Sequence, residues 1–187
     1  IMPEQSCYPI SDTMTFDQAA ASEPLAIGYY AVKKANLTDG AKIAILGAGP
    51  IGLSVLLSAR ALGQHTIYMT DRIDDRAEHA RRSGGDWTGN PDKQDIVGEI
   101  SRAEPLGLDV VFECCGQQEA LDQGINLLKP GGKLMMIGIP EIGRVSFSPD
   151  IMRRKELSLI NVRRQVDCVE PTLELICLLY TSPSPRD

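Results

Sequence analysis

Apolar and polar positions change period several times along these 187 residues, and the changes mark out the elements. Short, continuously apolar runs such as Ile43–Leu46 and Val110–Phe112 suit parallel strands buried on both faces. Between such runs the apolar positions recur at helical spacing. Strands are therefore expected at 42–46, 66–70, 85–88 (weakly), 108–112, 132–137 and 157–161, and helices at 50–62, 73–82, 92–103, 117–129 and 168–176. Upstream, Thr15 is placed to cap a short helix through Ala21. Glu23-Pro24 opens a second helix running to about Ala35, with Leu25, Ile27, Tyr30 and Val32 on its apolar side. Pro24 falls in the first turn, where a missing N–H costs little. Residues 1–12 read as loop and strand, and Lys129-Pro130-Gly131-Gly132 reads as a helix end turning into a strand. Alternating strands and helices imply right-handed crossovers and a doubly wound parallel α/β sheet, in the order 3-2-1-4-5-6.

The first strand of that series runs straight into Gly47-x-Gly49-x-x-Gly52, and the second ends at Asp71. Each part suits a dinucleotide. Gly47 permits the tight turn, Gly49 lets a pyrophosphate approach the backbone, and Gly52 lets helix and strand pack closely. The helix N-terminus then presents unpaired N–H groups and a positive dipole end to the phosphates. Asp71 lies 19 residues past Gly52, where a carboxylate accepts hydrogen bonds from ribose hydroxyls. A carboxylate there repels a 2′-phosphate and favours NAD over NADP, while the adjacent Arg72 pulls the other way. The fold expected is thus a Rossmann sheet carrying NAD.

Composition adds limits. A hydrophobic content of 43% and a charged content of 24% are ordinary for a globular chain. The net charge of −6 offers nothing to nucleic acid or an anionic membrane, and no apolar run is long enough for a transmembrane helix. Cys7, Cys114, Cys115, Cys168 and Cys177 form no CxxC pair, which suits a reducing, cytoplasmic setting. His65 and His79 sit in polar surroundings and are expected at the surface. Trp87 is expected to pack near the adenine edge.

Several segments resemble the medium-chain zinc-dependent alcohol dehydrogenases, in particular the sorbitol (L-iditol, polyol) dehydrogenase branch. They are Glu23-Pro24-Leu25-Ala26-Ile27-Gly28, GAGPIGL from Gly47, the Thr70-Asp71-Arg72 triplet, Glu113-Cys114-Cys115-Gly116, LLKPGGKLMMIGIP (Leu127 to Pro140) and Ile160 to Gln165. The resemblance implies a reversible hydride transfer between a polyol or other secondary alcohol and NAD, with zinc assisting in a full-length parent and this piece by itself inactive. It implies that Gly47, Gly49, Pro50, Ile51 and Gly52 face the pyrophosphate, and that Asp71 holds the adenosine ribose with Arg72 and Arg76 nearby. Cys115 stands beside the cofactor where many relatives have Thr. Ile137, Gly138 and Ile139 would offer backbone groups to the nicotinamide amide, and Val162, Arg163 and Arg164 match a segment touching the cofactor, with Arg164 also reaching the polyol. Glu23 matches an acid facing the zinc, as ligand or neighbour of a ligand, while Gln165 stands where the polyol enzymes have Tyr. The family's main zinc-ligand motifs are absent from this sequence. Two other readings stay open: a zinc-free quinone or enoyl reductase, and a nucleotide-binding module without catalysis.

The domain reading follows. Residues 1–35 would be the end of a catalytic domain with a connecting helix, and 36–176 the NAD-binding domain. Residues 177–187 are expected to be a non-native tail, since CLLYTSPSPRD is the in-frame translation of a transposon-type sequencing adapter. The last strand, at a sheet edge, suggests a homo-oligomer (dimer or tetramer).

Overall fold

A computed structural model describes residues 2–181 of the chain. Its centre is a six-stranded, all-parallel sheet: β1 (Lys42–Leu46), β2 (Thr66–Thr70), β3 (Trp87–Gly89), β4 (Leu108–Glu113), β5 (Leu128–Met136) and β6 (Ser158–Asn161), in the order β3-β2-β1-β4-β5-β6. Successive side chains leave opposite faces of a strand, and here both faces are covered. Ile43, Ile45, Ile67, Met69, Val110 and Phe112 join one core cluster. Ala44, Leu46, Tyr68, Val111 and Leu134 join the other.

Helices fill both sides: α1 (Phe16–Ala20), α2 (Ser22–Ala35), α3 (Pro50–Leu62), α4 (Asp74–Arg82), α5 (Ile96–Ala103), α6 (Gln118–Leu127), α7 (Pro149–Arg154) and α8 (Val169–Thr181). Val55, Leu56 and Ala59 of α3 and Ala31, Val32 and Ala35 of α2 cover the first face. Ile96 and Ile100 of α5 and Leu121 and Ile125 of α6 cover the second. Thr15 caps α1 through a capping box with Gln18, as its position suggested.

Where expectation and structure differ, the reasons are local. No strand forms in residues 2–15; a short 3-10 turn, Glu4–Ser6, occurs instead. Helix α5 starts at Ile96, not near residue 92, because Asp95 caps it by accepting the Gly98 N–H at 3.0 Å. The residues before it form a turn whose Lys93 and Gln94 amides both donate to the Asn90 carbonyl. Helix α6 ends at Leu127, and Lys129 to Gly132 lie inside β5 as an irregular stretch. Leu128 pairs with Leu108, but the next pair is Lys133 with Val110. The extra residues loop out, and Gly131 turns its N–H to the Lys155 carbonyl at 2.7 Å. Lys155 in turn donates to the carbonyls of Ile125, Asn126 and Leu128, closing the end of α6. Helix α7 carried too little apolar signal to be anticipated, since none of its residues is buried. Helix α8 continues past residue 176 to Thr181, so the first part of the expected non-native tail is helical and residues 182–187 lie outside the described residues.

Candidate functional site

The strand register sets one level edge to the sheet. Gly89 pairs with Thr70, Thr70 with Leu46, Leu46 with Glu113, Glu113 with Met136, and Met136 with Asn161. These are the last residues of six parallel strands, so the turns that follow all emerge on the same side. The sequence-expected residues Gly47, Asp71, Cys115, Ile137 and Val162 are therefore neighbours across one rim, although over a hundred positions separate the first from the last. The connection reverses direction between β1 and β4, which opens the crevice where ligands of such sheets bind.

At the head of that crevice β1 turns into α3. Gly47 has φ +104 and donates its N–H to Thr70 O at 2.8 Å, a conformation that disfavours any side chain. Gly49 caps α3 with extended backbone, and a Cβ built there meets nothing within 4 Å. Gly52 is the opposite case: a Cβ there would collide with the Gly47 carbonyl oxygen and lie 3.1 Å from Met69 Cε. Pro50 occupies the first helical position, and the ladder begins with Leu53 N–H to Gly49 O at 2.9 Å. The amides of Ile51 and Gly52 thus stand ahead of the ladder, facing the open space over Gly49.

Asp71 follows β2 and is half-buried. Its Oδ2 accepts the Ala48 N–H at 2.8 Å and its Oδ1 the Ile73 N–H at 2.9 Å. One carboxylate thus fixes both the glycine turn and its own turn. It keeps two further lone-pair directions for hydroxyl donors. A cavity of about 550 Å³ opens beside it, lined by Gly47, Asp71, Arg72, Arg76, Asp92 and Cys115 among others. Arg72 donates through Nε to Asp92 Oδ2 at 2.9 Å, and this hydrogen bond raises the already high pKa of the guanidinium further. Sequence reasoning missed Asp92 and Asn90, which only the β3 register brings here. Buried Asn90 donates to the Arg72 carbonyl at 2.9 Å and to Asp74 Oδ1 at 2.7 Å, tying the turns after β2 and β3 together. Trp87 packs against Tyr68, with ring centroids 6.1 Å apart, on the face covered by α5 and α6.

The other half of the rim is built on β4, β5 and β6. The amides of Ile137 and Gly138 both donate to the Glu113 carbonyl, at 2.9 and 3.0 Å. The Ile137 and Gly138 carbonyls and the Ile139 amide remain as the backbone groups this segment has for a ligand. Ile139 is 90% exposed, whereas Ile137 sits in the core. Val162 also turns its side chain into the core and gives its N–H to Met136 O at 2.9 Å. Arg163 and Arg164 are exposed beyond the end of β6, Arg164 with φ 54.

Cys115 is exposed as a residue, yet desolvation of its sulfur and the nearby Glu113 carboxylate push the thiol up to about 12. At pH 8 only about one such thiol in ten thousand is ionised. Iodoacetamide is expected to label Cys115 on the order of a hundredfold more slowly than an ordinary exposed thiol, the gap closing as pH rises towards 12. A mass-spectrometric time course checks this, with equal labelling of Cys115 and exposed Cys7 as the contrary result.

Two expected features are placed elsewhere. Glu23 is exposed in the first turn of α2. The start of that helix, with Ala21 and Pro24, lines a second cavity of about 700 Å³ shared with Gly49, Pro50, Arg76 and His79. Among the described residues no three His, Cys, Asp or Glu side chains converge as a metal site, so Glu23 has no companion ligands here. His65 is not the surface residue its neighbours suggested: it is buried between α3 and β2, and desolvation holds its pKa below the usual imidazole value. Its carbonyl accepts from Arg60 Nη1 at 2.6 Å.

A doubly wound parallel sheet with a glycine turn at its point of reversal defines a dehydrogenase-type α/β domain. The chain belongs to the zinc-binding dehydrogenase family, which it matches over residues 50–176. It is 29% identical over 176 residues to a sorbitol dehydrogenase of Bacillus subtilis (strain 168), covering 94% of this chain and 50% of that protein. The crystal structure of 2R,3R-butanediol dehydrogenase from Bacillus subtilis superposes with a TM-score of 0.85 at 31% identity, covering 94% of this chain and 50% of that one. A Sinorhizobium meliloti 1021 protein solved with NADP bound superposes with a TM-score of 0.87 at 28% identity, covering 94% of this chain and 53% of that one. The chain thus spans about half the length of the relatives it matches. No helix among the described residues is long and apolar enough to cross a membrane.

Proposed function

We propose that this chain is the NAD-holding half of an oxidoreductase that moves a hydride between a polyol, or another secondary alcohol, and the nicotinamide ring. The observation that carries the reading is the convergence of the empty space over Gly49, the α3 amides and the Asp71 carboxylate at one rim. The pyrophosphate would lie on the α3 N-terminus, and the adenosine ribose would donate to Asp71. The adenosine half then runs over β2 and β3, and the nicotinamide half over β4 and β5. When bound, NAD supplies the hydride acceptor; the chain's own part is to bind it and hold its ring in one orientation.

NAD is proposed over NADP. Asp71, Asp92 and Glu119 line the adenosine cavity against Arg72 and Arg76, and Arg72 is already paired, so a 2′-phosphate meets surplus negative charge. The polyol class is proposed from the sorbitol and butanediol dehydrogenases it resembles, with Arg164 and Glu23 as the residues of this chain nearest in role to substrate and metal. The described residues do not make a zinc site by themselves. We further propose that residues 1–35 link to a catalytic domain, and that β6, paired on one side by β5, joins its counterpart in a second copy.

Asp71→Ala is expected to weaken NADH binding by roughly tenfold or more, since it removes charge-assisted acceptors from the ribose and leaves the Ala48 amide unpaired. Asp71→Asn is expected to narrow the gap between NADH and NADPH. Calorimetric titration of the purified chain reads both, and NADH affinity unchanged in Asp71→Ala rules the ribose assignment out.

A further inference from the structure

Two glutamates are buried among the described residues. Glu104 is occupied at the far edge of the sheet, paired with Lys42 and accepting from Tyr68. Glu113 is 1% exposed, stands at the ligand edge, and has no part in the binding just described. An ionised carboxylate is withdrawn from water only where several donors compensate it. Its Oε1 accepts the Cys115 N–H at 2.8 Å and the Gly116 N–H at 2.6 Å, and its backbone carbonyl accepts from Ile137 and Gly138. The side chain therefore holds the two amides of its own turn, and the backbone carbonyl holds the two of the turn after β5. The turns also touch: a Cβ at Gly138 would lie 2.7 Å from Glu113 Oε2, and one at Gly116 would lie 2.7 Å from the Ile139 carbonyl carbon.

We propose that the Glu113 side chain is a positioning residue for the nicotinamide end of the cofactor, fixing the turn after β4 at the place where Gly138 of the turn after β5 packs against it, so that this half of the crevice is shaped before any ligand arrives. The inference rests on the reading of the crevice as an NAD site. With the adenosine end anchored at Asp71 and the pyrophosphate at α3, the ring lies towards the rim of β4 and β5, and the Glu113 side chain fills the space between those two turns. The Ile139 amide and the Gly138 carbonyl belong to the turn that its Oε2 lies against. A side chain that served only folding would affect every ligand of the crevice alike; one that shapes the ring's half affects most the ligands that carry the ring.

NADH and ADP-ribose, which lacks the nicotinamide, separate these cases when titrated calorimetrically into the unmodified chain, Glu113→Ala and Glu113→Gln, with circular dichroism confirming the fold of each. Glu113→Ala is expected to lose NADH affinity on the order of tenfold and ADP-ribose affinity only about two- to threefold, since Cys115 of the same turn also lines the adenosine cavity. Glu113→Gln keeps a carbonyl oxygen for the two amides and is expected to recover most of the loss, remaining about two- to fivefold weaker for NADH alone. Should Glu113→Ala fail to fold, Glu113→Gln decides by the same comparison. Equal losses for both ligands, or NADH affinity as in the unmodified chain, overturns the proposal. Failure of the unmodified chain to bind either ligand overturns the dinucleotide reading itself, and the proposal with it.

Discussion

Gly49→Ala is expected to abolish measurable NADH binding, a loss on the order of a hundredfold, while moving the unfolding midpoint by no more than a few degrees. The substitution costs the folded chain little: Gly49 has φ −74, which alanine adopts freely, and the added methyl meets nothing within 4 Å. The exception is the weaker preference for alanine at a helix cap, worth about 1 kcal/mol. On the proposed reading that same open space is where a pyrophosphate approaches the α3 amides, and a methyl there would hold it off. Gly52→Ala makes the complementary case, because its methyl strikes the Gly47 carbonyl oxygen and must displace the turn itself. It is expected to lose both binding and stability. Calorimetry with NADH and a thermal melt on each variant check the pair. Retained NADH affinity in Gly49→Ala removes the pyrophosphate from this turn.

Gly28→Ala is expected to destabilise the chain by about 2–4 kcal/mol without any direct contact to the cofactor. A Cβ at Gly28 falls 2.6 Å from both Ser54 Cβ and Val55 N, so α2 and α3 cross with α2 backbone against α3 backbone. Alanine is the better helix former at an isolated position, by about 1 kcal/mol, so the intrinsic helix preference predicts the opposite sign. The collision outweighs it because both helices are held from the other side by the sheet: Ala31 and Val32 of α2, and Val55 and Leu56 of α3, share one core cluster. Urea unfolding followed by circular dichroism measures the difference, and Gly49→Ala is the matched control, a methyl added without a neighbour. Stability equal to or above that of the unmodified chain shows that the two helices are free to separate. The contact also explains, in packing terms, why the Glu23 to Gly28 segment carries a glycine at its end.

Legibility differed between parts of the molecule for identifiable reasons. Strands β1 and β2 and helix α3 match their expected limits because each is bounded by a strong local signal: continuous apolar residues, the glycine turn, the proline in the first helical turn. Helix α7 and the looped stretch within β5 carry no such apolar period: α7 is short, capped by Ser148 and without a buried residue, and the looped stretch depends on the distant Lys155 carbonyl. His65 has polar neighbours in sequence, yet the turn from α3 to β2 folds it inward.

The candidate site divides in the same way. The glycines and Asp71 announce themselves, since their roles depend on backbone shape and on spacing within one βαβ unit. Asn90 and Asp92 do not, because their work is done across strands. Sequence alone determined the strand–helix alternation, the parallel sheet and the dinucleotide turn, as these follow from periodicity and short-range sterics. Only the tertiary structure decided that the Ile137 and Gly138 amides are already committed, that Arg72 is held by Asp92, and that a buried carboxylate stands against Gly138 of a neighbouring turn. Hydrogen bonds between separate strand ends depend on register, and register is set by how both faces of the sheet pack at once.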